Sequence, residues 1–202
     1  MIYKNYKSLL EDIQSKNYKR IIVSGPQRSG TTFLSQVLSE DLGFVKKDQN
    51  FNEVGHISNL IKFPVPYVAQ APHLSWELHH IDIPETFVIF CTRNCNDVID
   101  SARKKLSLTN DRTKNWNNSH FGNIGELIRL KTYIKQKQVP DYYSDVHSCY
   151  IKNNLWLSYQ YVNMKVDHGT MPYECLKDHP KFISDKKIRS KIGPEDIVPH
   201  EE

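Results

Sequence analysis

Arg20-Ile21-Ile22-Val23-Ser24-Gly25-Pro26-Gln27-Arg28-Ser29-Gly30-Thr31-Thr32 is the stretch that decides the fold of this chain. The β-branched residues Ile21, Ile22 and Val23 predict a buried strand over Arg20–Ser24. Gly25–Gly30 reads as a turn. Beyond it, Phe33, Leu34, Val37, Leu38 and Leu42 recur at helical spacing, which predicts an amphipathic helix over Thr31–Leu42. Gly43 is a natural stop for that helix. The unit is therefore strand, glycine turn, helix.

Working outward, Lys7–Ser15 is expected to form a leading helix. Lys46–Ile61 reads as a short strand followed by a helix around His56–Lys62. Pro64 and Pro66 interrupt any regular element. Tyr67–Gln70 fits a short strand ending at Ala71-Pro72-His73, with a turn or short helix over Leu74–His80. Thr86–Thr92 is apolar almost throughout, as a central parallel strand covered on both faces should be. Asp97–Leu106 reads as a helix capped by Asn96 or Asp97. Thr109–Phe121 is Asn-rich and lid-like. Helices are expected over Ile124–Lys137, ended by Pro140, and over Cys149–Tyr161. Late strands are expected at Val162–Val166 and Met171–Tyr173. Strands alternating with helices predict one α/β domain over residues 1–202, three layers around a central parallel sheet, with a flexible tail after about 185.

Composition narrows the function classes. With 202 residues, 39% hydrophobic and 25% charged, the chain is neither collagen-like nor wholly disordered. Its net charge of +4 suits an anionic ligand, without the basic–aromatic surface of a nucleic-acid binder. Cys91, Cys95, Cys149 and Cys175 form no dense disulfide scaffold and no zinc pattern. No run approaches the roughly 20 apolar residues needed to span a bilayer, and the first 20 residues lack a signal-peptide core. These features point to the cytoplasm, with a trimmed luminal domain as the other reading. Both a monomer and a homo-oligomer are compatible with the sequence.

Gly25 and Gly30 are five positions apart, as in a G-x-x-x-x-G-K-[ST] loop, but Thr31 stands where the Lys would be. A loop of this kind surrounds a phosphate with backbone N–H groups at a helix N-terminus. Arg28 can supply the missing charge, and Ser29, Thr31 and Thr32 add hydroxyls. The plain alternative is a structural turn with a capped helix. Without the Lys, Mg-dependent ATP hydrolysis is disfavoured. The loop Pro26–Thr32 resembles that of the sulfotransferase family, with one residue inserted before Arg28. The resemblance implies a P-loop NTPase-like sulfotransferase fold. It also implies that the loop grips the 5′-phosphosulfate end of PAPS (3′-phosphoadenosine 5′-phosphosulfate), with Arg28 on the transferring group.

A second constellation is Arg93, at the end of the Thr86–Thr92 strand, with Ser101 two turns into the next helix. Ligands gather at that edge of open α/β sheets; a strand-end Arg can equally be solvated. Thr92-Arg93-Asn94-Cys95-Asn96-Asp97-Val98-Ile99-Asp100-Ser101 is similar to the family's Arg and Ser that hold the 3′-phosphate, with Cys95 where Pro is frequent. Tyr173-Glu174-Cys175-Leu176 looks like the family's late Tyr-Glu-x-Leu segment, where Glu174 is structural. Arg189, Lys191 and Gly193 are a loose equivalent of its closing basic segment, or a solvated tail.

Sulfuryl transfer to a hydroxyl also needs a base. His73 is the leading candidate, because imidazole titrates near neutrality and Ala71-Pro72-His73-Leu74 looks like the family's Lys-Thr-His segment. Ala71 stands in place of that Lys. Glu53, in Asn50-Phe51-Asn52-Glu53, is the rival. No metal is expected. The implied activity is transfer from PAPS to a sugar, small-metabolite or peptide hydroxyl, leaving PAP. The alternatives are a catalytically inactive nucleotide-binding protein on the same fold and a P-loop small-molecule kinase.

Overall fold

Among the described residues Arg20–Ser24 forms β1, the middle strand of a five-stranded parallel sheet. A computed structural model of the chain describes residues 1–25, 28–47, 57–72, 74, 77–94, 97, 160–177 and 179–182. Among these residues α1 spans Tyr6–Ser15, α2 Thr31–Leu42, β2 Val45–Lys47, α3 Ile57–Leu60, β3 Tyr67–Gln70, β4 Thr86–Thr92 and β5 Asp167–Pro172. Short 3-10 turns cover Leu78–His80 and Tyr173–Leu176. The strand order is β2-β3-β1-β4-β5, and every neighbouring pair is parallel.

Strand periodicity sends the sheet's side chains alternately to two cores. Ile21, Val23, Val68, Phe87, Ile89 and Met171 pack with Leu9 and Ile13 of α1 and Leu34, Val37 and Leu38 of α2. On the other face Ile22, Tyr67, Ala69, Val88 and Phe90 meet Leu60, Leu74, Leu78, Ile81 and Ile83. Covering both faces explains why the β1 and β4 sequences are apolar without alternation. Local signals set the helix ends. The Asn5 side chain accepts the Ser8 N–H at 2.8 Å to start α1. Gly43, at φ 66°, ends α2 in the left-handed conformation.

Two expectations shift. The late strand runs over Asp167–Pro172, whereas residues 160–162 are helical and residues 165–166 lie in a bend. β5 is polar because only part of it is buried. Its outer edge is met by the chain's first residues: Tyr3 N–H donates to the Thr170 carbonyl at 3.0 Å, and Thr170 N–H to the Met1 carbonyl at 2.7 Å. The helix expected around His56–Lys62 is the single turn Ile57–Leu60, with Leu60 buried; residues 61–62 form a turn and His56 lies outside the described residues. The helices expected over Asp97–Leu106, Ile124–Lys137 and Cys149–Tyr161 lie wholly or largely outside them, as does the Thr109–Phe121 loop. Among the described residues no helix is long and apolar enough to cross a membrane.

Strand order also fixes where a ligand would collect. From β1 the chain leaves through α2 towards β2 on one side; from β4 it continues to β5 on the other. Outgoing connections that diverge from adjacent strands open a crevice at their C-terminal ends. Here that crevice lies over β1 and β4.

Candidate functional site

Gly25 continues β1 towards the turn, and a side chain there is excluded. Its φ is 147°, and a Cβ would lie 2.3 Å from the Cys91 carbonyl oxygen on β4. The two backbones therefore approach closely where β1 gives way to the loop. Cys91 adds a second tie, its Sγ donating to the Ser29 carbonyl at 2.9 Å. Burial pushes the Cys91 thiol up to about 12, so it stays protonated.

Arg28 holds φ at 72°, a left-handed conformation that non-glycine residues rarely adopt. Gly30, at φ 94°, is the N-cap of α2. A Cβ on it would lie 2.2 Å from the ring of Tyr173, so Tyr173 packs directly under the head of the helix. Gly30 has no side chain to cap α2 and accepts the Leu34 N–H through its carbonyl at 3.0 Å. The first-turn N–H groups point out of the N-terminal end of α2, carrying the positive end of its dipole. Ser29 and Thr31 are buried and Thr32 is exposed. The Thr32 hydroxyl accepts the Gln70 Nε2 amide at 2.8 Å, linking the helix start to the end of β3.

Arg93 follows the last residue of β4. Its side chain is 1% exposed. The guanidinium lies 4.8 Å from the Tyr173 ring centroid, a cation–π distance. Nη1 donates to the Arg28 carbonyl at 3.4 Å, and Nε lies 3.7 Å from the Asp97 carboxylate. Both contacts are long for charged partners. Glu174 accepts the Asn94 N–H at 2.9 Å, anchoring the chain as it leaves β4. Tyr173 thus supports Gly30 and Arg93 together.

Arg28, Ser29, Gly30, Thr31, Thr32 and Arg93 accordingly share one edge of the sheet. His73, Glu53, Ser101, Arg189, Lys191 and Gly193 lie outside the described residues. Ala71, just after β3, is at the same edge, since its N–H donates to the Val23 carbonyl at 2.8 Å and its carbonyl accepts Ser24 Oγ at 2.9 Å. Gln70 joins the site without having been singled out, and Tyr173 and Asp97, quoted within family-like segments, join it without having been given a role there. Gln70 carried one sequence signal, an amide closing a strand otherwise made of Tyr67, Val68 and Ala69. The position of Tyr173 depends on β5 lying beside β4, which local patterning does not encode.

Chemically the edge offers the N–H groups at the head of α2, the Thr32 hydroxyl and the buried guanidinium of Arg93 beside the Arg28 carbonyl. Such a set matches a phosphate-bearing ligand. Among the described residues no group of three or more His, Cys, Asp or Glu is arranged around a metal position.

No family model matches this chain, and no curated protein is similar to it. Among solved structures, it is similar to the crystal structure of the YorR protein from Bacillus subtilis in complex with phosphorylated GDP. That likeness has 8% sequence identity and a TM-score of 0.43, and covers 86% of this chain and 95% of that one. A likeness of this size assigns neither a family nor a ligand.

Proposed function

We propose that this chain is a PAPS-dependent sulfotransferase that moves a sulfuryl group to a hydroxyl of a sugar, small metabolite or peptide. The observation that carries the proposal is the meeting of two separate motifs. Gly25 and Arg93 follow the C-terminal ends of adjacent parallel strands, β1 and β4, and Arg93 Nη1 reaches the Arg28 carbonyl at 3.4 Å. A ligand with phosphates at both ends of a ribose needs two anion sites in one crevice.

Bound there, PAPS would supply the sulfuryl group, with PAP left as product. Arg28 and the N–H groups at the head of α2 hold the negative charge that develops on the leaving side. Arg93, with Ser101, holds the 3′-phosphate. Its long contacts to the Arg28 carbonyl and Asp97 are ones that a doubly charged phosphate can displace. The acceptor's hydroxyl proton passes to a base as its oxygen bonds to sulfur. His73 is the first candidate and Glu53 the second.

Transfer of labelled sulfate from PAPS across an acceptor library, with His73→Ala and Glu53→Gln beside the wild type, tests the proposal. Labelled product from the wild type is expected, reduced by at least about a hundredfold in the variant that lacks the base. Binding of PAP without transfer to any acceptor would favour the inactive nucleotide-binding alternative. Phosphoryl transfer from ATP would favour the kinase.

A further inference from the structure

Gln70 closes β3 and is 8% exposed. A buried amide is costly unless hydrogen-bonded, and Gln70 donates from Nε2 to Thr32 Oγ1 at 2.8 Å. A hydroxyl has one proton to donate and two lone pairs that accept. Gln70 fills one lone pair, so the Thr32 proton must point elsewhere. Thr32 is exposed on the first turn of α2 beside the loop, where its O–H can donate to a ligand oxygen.

Phosphate loops that work with Mg²⁺ use the opposite arrangement. Their hydroxyl turns a lone pair to the metal, and a nearby carboxylate helps hold the ion. Here the group touching the hydroxyl is a neutral amide donor.

We infer that Gln70 is a positioning residue that makes the Thr32 hydroxyl a donor, setting the loop to take a ligand oxyanion without a divalent cation. This rests on reading Gly25–Thr32 as the phosphate site. Gln70→Glu is a nearly isosteric reversal. A carboxylate would accept the Thr32 proton, leave only lone pairs facing the ligand and add a negative charge. The same loop should then need Mg²⁺.

The experiment is calorimetric titration of PAP, ADP and inorganic pyrophosphate into the wild type, Gln70→Glu, Thr32→Val and the double variant, each with Mg²⁺ and with EDTA. Wild-type affinity should change by no more than about threefold between the two conditions. Gln70→Glu should lose about tenfold in EDTA and recover most of it in Mg²⁺. Thr32→Val, at an exposed position that should fold normally, should lose about tenfold in both conditions. In the double variant the Mg²⁺ recovery should disappear. A purely structural Gln70 would give Gln70→Glu an equal loss with and without Mg²⁺, and that result overturns the inference. So does a wild type that needs Mg²⁺, or a Thr32→Val variant of full affinity. If ADP or pyrophosphate binds and shows the switch while PAP does not bind, the inference stands and the sulfotransferase proposal falls. If none of the three binds the wild type, both fall.

Discussion

The two ends of the sheet are built from the same strands and serve different purposes. At the N-terminal end polar groups satisfy one another. The Tyr18 hydroxyl donates to the Asp167 carboxylate, and the Lys19 and Arg20 N–H groups donate to the Glu85 carbonyl at 2.9 and 3.1 Å. Tyr18 also stacks on Phe87, with centroids 5.0 Å apart. At the C-terminal end Arg93 meets the Arg28 carbonyl, and Thr32 lies at the head of α2 against Gln70. One end closes the fold; the other is the end at which we propose that an anion binds. Substitutions at the first should therefore change stability alone, and those at the second should change ligand binding as well.

The largest effect is expected from Gly25→Ala. The new Cβ would collide with the Cys91 carbonyl, a backbone atom that cannot rotate away, and the positive φ adds strain. A loss of about 3 kcal/mol is expected in chemical denaturation, with nucleotide binding abolished. An unchanged denaturation midpoint would show that β1 and β4 do not approach as closely as described.

The next effect appears in alkali. Burial pushes both the Cys91 thiol, from 9.0, and the Tyr67 phenol, from 10.0, up to about 12. Folding favours their neutral forms, so this stability is fully present below pH 9 and is lost as pH rises towards 12. The slope should reach at most about 1.4 kcal/mol per pH unit for each group. Cys91→Ala should flatten the curve between pH 9 and 10, before Tyr67 contributes. A curve of unchanged slope would mean the thiol reaches solvent.

At the N-terminal end Tyr18→Phe should cost about 1 kcal/mol while leaving PAP affinity unaltered. A fall in affinity would break the division between the two ends. The smallest effect is expected at Lys181, which donates to Glu40 on α2 and holds that carboxyl below its usual range. Both side chains are partly exposed, so Lys181→Ala should cost about 0.5 kcal/mol in thermal melts.

The elements legible in the sequence are those whose local chemistry leaves one choice. β1, β3, β4 and α2 occupy the expected spans, because apolar β-branched runs and a helical stripe ending in Gly43 have few competing readings. β5 was harder, since Asp167-His168-Gly169-Thr170-Met171-Pro172 is polar and ends in Pro. It forms a strand because β4 lies on one side and residues 1–3 on the other. Gly169 leaves room for Tyr3, whose ring would lie 2.6 Å from an added Cβ. The site divides in the same way. The passage from β1 to the head of α2 follows from the two glycines, Gly25 and Gly30. The links Gln70–Thr32, Tyr173–Gly30 and Arg93–Arg28 join residues 38, 143 and 65 positions apart, and only strand order brings them together.

The most direct measurement is a competition titration of PAP against ADP on the wild type and on Arg93→Met, a substitution that replaces the buried cation with an apolar chain of similar length. The wild type should prefer PAP by at least about tenfold, and the variant should bind both nucleotides alike. Equal affinity for PAP and ADP in the wild type, or a preference that survives in Arg93→Met, would contradict a crevice that holds a second phosphate through Arg93.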